Sequence, residues 1–263
     1  MKAVIFDVDG TLADTEEAHR AAFNATFRQF GLPWEWDAAL YRELLAVTGG
    51  KERMRHFCER CFPDFLEDPQ AGSTIATLHR EKTRHYAGLV AAGGVAARPG
   101  VVRLIRELRA AGIRLAIATT TSRSNVDALL ASSLKTLPPD TFAVIGAAEQ
   151  AAAKKPASDI YLWVLERLGL PPQDCLAIED SRNGVRAATS AGIPTLVTEC
   201  AWTAGEDFSG ALAVLSDLGE PERPYTLVSG PPNGIGYVDV VVLRRWHWKS
   251  IHQHAVPPAP TFE

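Results

Sequence analysis

The sequence predicts an α/β fold in which a Rossmann-like core with a parallel sheet carries a helical cap inserted after the first strand. From residue 99 onward, short apolar runs alternate with amphipathic segments, which is the pattern of a parallel sheet covered by helices on both faces. Between residues 12 and 98 that alternation stops, and long helical patterns follow one another. The predicted organisation is a core of residues 1–13 and 99–220, a cap of residues 14–98 and a C-terminal extension of residues 221–263 without an assigned role.

The first predicted strand begins at Val4 and ends in two carboxylates, Asp7 and Asp9. Side chains of a strand repeat every second residue, so the two carboxylates leave on the same side, roughly 6 to 7 Å apart along the strand. Their repulsion is relieved by a bound cation or by a shared proton, and either outcome supplies a catalytic device. The alternative is structural, because Asp followed by Gly-Thr also ends a strand in a turn.

Amphipathic patterns then predict four cap helices, at residues 15–30, 38–47, 51–60 and 74–89. Glu16 and His19 are three residues apart on the first of these helices, so they share one face. Because this helix emerges directly from the loop that carries the two aspartates, we interpret the face as functional. A solvated helix face is the alternative.

A second candidate cap segment is the joint between two predicted helices, Thr48-Gly49-Gly50-Lys51-Glu52. Its glycines permit close backbone approach, and its lysine could contact a second phosphate group of a ligand. A plain turn at the C-terminus of a helix explains the glycines equally well.

The core resumes with a predicted helix at 101–111 and a strand at 114–118, which is followed by the hydroxyl side chains of Thr119, Thr120, Thr121 and Ser122. A helix begins at about Ser124. Free N–H groups and the positive end of the helix dipole favour an anion at such a junction. Ordinary N-capping by Ser and Thr is the alternative.

Further predicted strands lie at 142–145, 175–178 and 194–197. Lys155 precedes Pro156, which we expect at the first position of a helix through residue 168, and this would fix the lysine near the sheet edge. A solvated surface lysine is the alternative. Glu179 and Asp180 directly follow the 175–178 strand and precede a helix at 183–191.

These chemical groups all follow predicted strands, and ligands of open parallel sheets bind beyond the carboxyl ends of the strands. Mg²⁺ prefers carboxylate oxygens and water, so Asp7, Asp9 and Asp180 together predict a magnesium site.

The amino-acid composition and net charge argue against nucleic acid as a binding partner. The chain has 263 residues, 46% of them hydrophobic, and a formal net charge of −4, so it can bury a full core and has no basic field for nucleic acid. No apolar run reaches membrane-spanning length, and we expect a monomer in the cytoplasm, or in the plastid stroma if a transit peptide has been removed. The four cysteines predict no disulfide scaffold, and we interpret Cys58 and Cys61 as helix core and surface.

In their order along the chain, DVDGT, TTTS, KP and ED resemble the four motifs of the haloacid dehalogenase superfamily over about residues 1–218. The resemblance implies phosphoryl transfer in which Asp7 attacks phosphorus to form an aspartyl-phosphate. Asp9 would protonate the leaving oxygen and later activate water.

The same resemblance implies roles for the other motifs. Thr119, Thr120 and Lys155 would hold the phosphoryl oxygens. Mg²⁺ would be held by Asp7, Asp180 and the backbone carbonyl of Asp9, while Glu179 would steer Lys155 or a metal-bound water.

Within the superfamily, TGGKE together with DVDGTLADTEE, ATTTS and AxKKP resembles the CbbY-like sugar-bisphosphate phosphatases. This resemblance implies hydrolysis of xylulose-1,5-bisphosphate, an inhibitor of the Calvin-cycle enzyme Rubisco. One phosphate would react at Asp7 while Lys51, with Arg42 or Arg53, holds the other. The candidate substrate-binding residues are Glu16, His19, Arg42, Thr48, Gly49, Gly50, Lys51, Glu52, Thr121 and Ser122.

Three other functions are open to the same sequence. A sugar phosphomutase of the β-phosphoglucomutase type shares the motifs and a cap histidine at the position of His19, and differs in passing the phosphoryl group to another hydroxyl. Dehalogenation needs neither a second acid nor Mg²⁺, so Asp9 and Asp180 disfavour it. A non-catalytic binding module would not need so many buried charges.

The C-terminal extension departs from the resembled family. Residues 237–243 predict a strand, and the Pro-rich end predicts a disordered tail. His247, His252 and His254 are potential metal ligands, which we consider the less favoured interpretation.

Overall fold

The structure is a computed structural model that describes residues 1–252. Its core is one sheet of seven strands: β1 (Ala3–Phe6), β2 (Arg114–Ala118), β3 (Val144–Gly146), β4 (Cys175–Glu179), β5 (Thr195–Thr198), β6 (Val214–Leu215) and β7 (Leu227–Ser229). Their order is β3-β2-β1-β4-β5-β6-β7. All neighbours run parallel except β6 and β7, so the predicted α/β fold is confirmed.

Ten helices are described. Five lie between β1 and β2: α1 (Glu16–Gln29), α2 (Ala38–Leu44), α3 (Gly50–Cys61), α4 (Pro63–Glu67) and α5 (Ala71–Ala91). The others are α6 (Val101–Ala110), α7 (Arg123–Ser132), α8 (Asp159–Leu168), α9 (Arg182–Ser190) and α10 (Val240–His252). We call residues 16–91 the helical insert. No helix within residues 1–252 is both long and apolar enough to cross a bilayer.

Strand register aligns the candidate site residues. All four residues of β1 are buried, as expected for a central strand covered on both faces. Phe6 pairs with Ile117 of β2 on one side and with Ile178 of β4 on the other. The residues that follow these positions therefore meet at the carboxyl edge of the sheet.

Apolar clusters cover both faces of the sheet. On one face, Leu104 of α6, Leu129 of α7 and Trp246 of α10 belong to a single buried cluster. On the other face, Ile160 of α8 and Ala187 of α9 pack against the sheet. The two layers hold the central strands, and hence their carboxyl ends, in a rigid frame.

The helical insert has a separate, mainly aromatic core. Phe23, Phe27, Trp34, Trp36 and Phe57 are buried against one another in it. Their rings meet in edge-to-face and tilted geometries, for example Trp36 and Phe57 at a centroid distance of 5.5 Å.

The two linkers that join the insert to the core lie side by side. Ala13 forms an isolated bridge with Ala97, and the backbone N–H of Arg98 donates to the carbonyl of Leu12. The buried Arg98 guanidinium donates to the carbonyls of Gly10, Thr198, Glu199 and Ser216. One side chain therefore ties the linker to the loop after β1 and to the ends of two other strands.

The prediction of a strand at 237–243 is wrong, because these residues lead into α10. Its run of valines favours a strand locally. However, the Asp239 carboxylate accepts a hydrogen bond from the N–H of Val242 at 2.7 Å, and Val242, Leu243 and Trp246 are buried together at helical spacing.

The structure gives no support to a histidine metal site in this segment. Within residues 1–252, the only cluster of three potential metal-ligating side chains contains no histidine. His247 is buried on α10, and His252 Nδ1 lies 2.7 Å from the carbonyl oxygen of Trp248. His254 lies outside the described residues.

Pro156 is not the first residue of a helix, as predicted, because α8 begins at Asp159. Lys155 and Pro156 lie in a turn joined by a cis peptide bond. The Asp159 carboxylate accepts a hydrogen bond from the N–H of Ala153 at 3.0 Å, which ties the turn to the start of α8. Lys155 is fixed in place by this turn instead of by a helix.

Candidate active site

Lys155 lies at the centre of the carboxyl edge. Its Nζ donates to Asp7 Oδ1 at 2.6 Å and to Glu179 Oε1 at 2.6 Å. All three side chains are buried, which contradicts the alternative of a solvated lysine. Burial opposes the charge on Lys155, but the two carboxylates outweigh it and raise the pKa of the lysine.

A third carboxylate, Asp180, completes a buried acidic cluster. Oxygen atoms of Asp7, Glu179 and Asp180 all lie within 4.8 Å of one another. Burial raises the pKa of Asp7 to about 8 although Lys155 opposes this, and burial with the neighbouring acids also raises the pKa of Asp180. One lysine cannot neutralise three carboxylates, so the oxygen donors of this cluster fit a hard divalent cation.

Two glycines allow the carboxylates to come this close. A Cβ atom on Gly10, which has a φ of +80°, would lie 2.2 Å from Asp180 Oδ2. A Cβ atom on Gly184 would lie 1.9 Å from Glu179 Oε2, an oxygen that has no hydrogen-bond partner among the described residues. Both positions must therefore remain glycine for the cluster to form.

The carboxylate of Asp9 has different partners from that of Asp7. Its Oδ1 accepts a hydrogen bond from Thr15 Oγ1 at 2.6 Å and lies 3.0 Å from His19 Nε2. Burial opposes its ionisation, but His19 and Thr15 outweigh burial and hold the pKa of Asp9 at about 2. Of the three predicted metal ligands, Asp7 and Asp180 therefore have side-chain carboxylates in the acidic cluster. The Asp9 carboxylate instead contacts Thr15 and His19.

Lys82 was not identified from the sequence. It is buried on α5, and its Nζ lies 2.6 Å from His19 Nδ1. A protonated lysine only donates, so the charged form of Lys82 fixes the His19 tautomer in which Nε2 carries the proton and donates to Asp9. A signal was available, because Ile75, Leu78, Lys82 and Tyr86 repeat at helical spacing and the lysine occupies an apolar position.

The hydroxyl segment after β2 lies beside this cluster. Thr119 is buried, and its Oγ1 accepts a hydrogen bond from the Thr121 N–H at 3.2 Å. Ser122 occupies the N-cap position of α7, but its side chain makes no capping hydrogen bond, and the Glu149 carboxylate accepts a hydrogen bond from the N–H of Arg123 at 3.2 Å.

Asn125 is a second residue that the sequence analysis missed. It is buried in the first turn of α7, and its Nδ2 donates to Thr121 Oγ1 at 3.0 Å. Its Oδ1 has no partner among the described residues. A lone asparagine at a helix start gives no sequence signal that separates it from an ordinary polar residue.

A cavity of about 1180 Å³ lies between the carboxyl edge and the helical insert. Among the sequence-predicted site residues, the following line it: Asp7, Asp9, Glu16, His19, Thr48, Gly49, Gly50, Lys51, Glu52, Thr119, Thr120, Thr121, Ser122, Lys155 and Asp180. Glu179 lies behind this surface, fully buried.

The loop of residues 48–52 contacts the core. Gly49 has a φ of +100°, and a Cβ atom there would lie 2.4 Å from Lys154 Nζ. Glu52 forms an ion pair of 2.6 Å with the same lysine. Because α2 ends at Leu44, Gly49 does not terminate it, and the geometry favours the close-approach interpretation of this glycine.

Arg42 is the predicted substrate-binding residue that the structure separates from the cavity. Its guanidinium donates to the carbonyl of Ala201 at 3.0 Å and lies over the ring of Trp202. Arg42 lies on the face of α2 that packs against the loop after β5, so its side chain contacts that loop and not the cavity. Arg53 does line the cavity, although its guanidinium is bonded to Tyr41 and Leu44.

Comparison with known proteins identifies the family. The model of the haloacid dehalogenase-like hydrolases matches residues 1–192. The chain belongs to this family. It is 53% identical over 247 residues to protein CbbY from a plasmid of Cupriavidus necator, covering 94% of this chain and 97% of that protein.

Two further relatives agree with this assignment. The crystal structure of a CbbY mutant from Rhodobacter sphaeroides in complex with xylulose-(1,5)bisphosphate is similar with a TM-score of 0.76 and 44% identity, covering 84% of this chain and 96% of that one. A phosphorylated carbohydrates phosphatase of Thermotoga maritima is 34% identical over 195 residues, covering 73% of this chain and 82% of that protein. The chain is an enzyme of the haloacid dehalogenase-like family, a phosphatase.

Proposed function

We propose that the protein is a Mg²⁺-dependent sugar-bisphosphate phosphatase whose substrate is xylulose-1,5-bisphosphate. The observation that carries the proposal is the separation of the two aspartates: Asp7 is held by Lys155, and Asp9 is held by His19 and Thr15. Two carboxylates with different partners at one cavity are suited to two different roles.

Asp7 is the proposed nucleophile. It attacks the phosphorus atom and forms an aspartyl-phosphate, while Thr119, Thr120 and Lys155 hold the phosphoryl oxygens. From one position, Lys155 both orients the Asp7 carboxylate and neutralises negative charge on the phosphoryl group. Asn125 supports the hydroxyl segment through the hydrogen bond from its Nδ2 to Thr121 Oγ1.

Asp9 is the proposed acid and base. The phosphate charge of a bound substrate raises the pKa of a nearby carboxyl group and so favours the protonated form that donates to the leaving oxygen. After the sugar leaves, the Asp9 carboxylate accepts the proton of the attacking water. His19 and Thr15 keep this carboxylate in one position through both half-reactions.

The acidic cluster fits Mg²⁺. Asp7, Asp180 and the backbone carbonyl of Asp9 would hold the ion, and Glu179 would orient Lys155. When bound, the ion supplies positive charge to the phosphoryl oxygens. Mg²⁺ should raise the melting temperature of the wild-type protein in the absence of substrate and should not do so for Asp180→Asn.

A second phosphate is accommodated by the cationic part of the cavity lining. Lys51, Arg80, Arg182 and Arg186 are exposed there. The CbbY mutant of Rhodobacter sphaeroides has been crystallised with a sugar carrying two phosphates, which supports a similar substrate for this chain. We retain Lys51 as the principal contact because it lies in the first turn of α3, within the segment 48–52 that reaches the core.

Phosphate release from pentulose and hexose mono- and bisphosphates, with and without Mg²⁺, tests the proposal. We expect Mg²⁺-dependent release, fastest with xylulose-1,5-bisphosphate, that Asp7→Asn abolishes. Full activity of Asp7→Asn would contradict the mechanism, and equal rates on all substrates would contradict the specificity. Formation of glucose 6-phosphate from β-glucose 1-phosphate would favour the phosphomutase.

We also propose a cytoplasmic monomer. Support comes from the site itself, which one chain builds from its core and insert. Light scattering on the purified protein tests the oligomeric state.

A further inference from the structure

Glu16 lines the cavity, and a residue behind the cavity wall holds its carboxylate. Tyr41 is fully buried and donates from its hydroxyl to Glu16 Oε2 at 2.8 Å. No described residue hydrogen-bonds to the other oxygen, Oε1. One carboxylate oxygen is thus occupied, and the other remains available as an acceptor.

The direction of the hydrogen bonds around Tyr41 is fixed by Arg53. The guanidinium only donates, so Arg53 Nη1 donates to the Tyr41 hydroxyl oxygen at 2.9 Å, and the single hydroxyl proton goes to Glu16. Burial and the Glu16 charge raise the pKa of Tyr41 well above its ordinary value, so the phenol stays protonated. Arg53 is itself held by a hydrogen bond to the Leu44 carbonyl at 3.2 Å.

A core residue supports the same chain of hydrogen bonds. Trp202, in the loop after β5, meets Tyr41 edge to face with ring centroids 5.4 Å apart. The adjacent carbonyl of Ala201 accepts the hydrogen bond from Arg42. Tyr41 is therefore fixed from the insert by Arg53 and from the core by Trp202.

The charge of Glu16 decides what it can bind. A carboxylate accepts hydrogen bonds from hydroxyl groups and repels phosphate, whereas the lysine and arginines of the cavity attract phosphate. A ligand with phosphates near the cations and a hydroxyl near Glu16 satisfies both parts of the lining.

We propose that Tyr41 is a positioning residue that, backed by Arg53, fixes the Glu16 carboxylate as the acceptor for a hydroxyl group of the substrate. This inference rests on the proposed function and deepens it. It assigns the site to phosphorylated sugars with a free hydroxyl, as opposed to phosphate esters of the same length without one.

The test compares two bisphosphates of equal chain length that differ only in the hydroxyl and carbonyl groups between the phosphates. Xylulose-1,5-bisphosphate carries hydroxyls and a carbonyl, whereas pentane-1,5-diol bisphosphate has the same chain length and phosphates without them. We expect Tyr41→Phe to lower kcat/KM for the sugar about 10- to 100-fold, the range of one lost or misplaced hydrogen bond of this kind to a charged group, and to leave kcat/KM for the diol bisphosphate within about 2-fold.

Tyr86→Phe is the matched control. Tyr86 is also fully buried in the insert, but its hydroxyl has no hydrogen-bond partner among the described residues. Its loss should leave the ratio of the two kcat/KM values unchanged. Melting temperatures of both variants confirm that each is folded.

A double-mutant cycle provides a second readout. If Tyr41 acts through Glu16, Tyr41→Phe should have little further effect on the sugar substrate in a Glu16→Gln background. Equal losses on both substrates, or additive losses in the cycle, would overturn the inference. Failure of the wild-type enzyme to release phosphate from the sugar bisphosphate would instead overturn the proposed function.

Discussion

At the scale of single residues, the site depends on small side chains as much as on charged ones. Glu179 can reach Lys155 only because Gly184 leaves room for its carboxylate. The motif residues were predictable because they follow short apolar strands, and side-chain alternation and strand ends are local patterns. For Lys82 the helical spacing indicates a buried position, but its role is not encoded locally, because its partner His19 lies 63 residues away along the chain.

Gly184→Ala should displace the Glu179 carboxylate, since the added Cβ atom would lie 1.9 Å from Glu179 Oε2. We expect a loss of about 1–3 kcal/mol in the free energy of unfolding, because overpacking a rigid site costs that much, together with a large fall in kcat. Denaturant unfolding and phosphate release measure the two effects.

Gly72→Ala is the control for that substitution. Gly72 also lies in a helix, but an added Cβ atom there has no neighbour within 4 Å. Helix propensity then dominates, and stability should increase by about 0.5–1 kcal/mol. A destabilised Gly72→Ala or a neutral Gly184→Ala would contradict the packing argument.

Lys82 should make stability depend on pH. Burial lowers the pKa of Lys82 from 10.5 to about 7. Between these pH values the Lys82 amine is protonated in the unfolded chain and neutral in the folded chain, so the free energy of unfolding rises with pH. The destabilisation by the buried amine is complete below about pH 7. In denaturant titrations from pH 7 to 10, the wild-type protein should gain stability relative to Lys82→Met.

The exposed Lys135 supplies the control for this titration. Lys135→Met should follow the wild-type curve in parallel over the same pH range. A constant difference between wild type and Lys82→Met would show that the buried amine does not carry the effect.

At the scale of helices and strands, α5 of the insert packs on α7 of the core, where Tyr86 and Val90 share a buried apolar cluster with Leu129. On the cavity side, the insert and the core are joined by polar contacts. The ion pair of Glu52 with Lys154 and the hydrogen bond of Asn183 to Thr48 Oγ1 join the loop at the start of α3 to the core. These contacts enclose the cavity on the side where Lys51 lies.

Lys154→Met should raise KM several-fold while the free energy of unfolding changes by less than about 1 kcal/mol, the usual range for an exposed ion pair. The physical reason is that the pair favours the closed arrangement of the insert, which substrate binding requires. Steady-state kinetics and thermal unfolding measure the two quantities.

Arg60→Met breaks a comparable pair within the insert, between Arg60 and Glu43 at 3.4 Å. It does not bridge to the core, so KM should stay the same. Equal effects of the two substitutions on KM would remove the role assigned to closure.

The sequence predicts an element correctly where the local pattern of apolar residues matches the burial of those residues in the fold. β1, β2 and β4 are apolar runs that lie in the centre of the sheet. α10 was mistaken for a strand because its valines pack at helical spacing that only the fold reveals. The orientation of Arg42 was likewise set by the loop against which α2 packs, and no local pattern encodes that contact.

At the scale of the whole molecule, the core and the insert meet at Arg98. The buried guanidinium satisfies carbonyls from the catalytic loop and from the segments after β5 and β6, and its Nε lies 3.2 Å from Asp14 of the linker. A single side chain therefore fixes the base of the insert relative to the sheet.

Arg98→Met should destabilise the protein by about 3–5 kcal/mol, because it leaves buried carbonyl groups without donors. Arg98→Lys should recover part of the loss. Arg109→Met removes a half-buried guanidinium that makes only long contacts with the exposed Asp140, at 3.4 and 3.5 Å, and should change stability by less than about 1 kcal/mol. Denaturant unfolding of the three variants distinguishes these outcomes.

The adjacent entry and exit of the insert, where Ala13 pairs with Ala97, mean that the chain leaves the sheet and returns to it at one place. A different set of helices joined at this point would leave Asp7, Lys155 and Asp180 in place, but it would hold Asp9 only if it kept Thr15 and His19. A graft of residues 14–96 from a relative that has these two residues should therefore transfer substrate preference and leave the reaction centre unchanged.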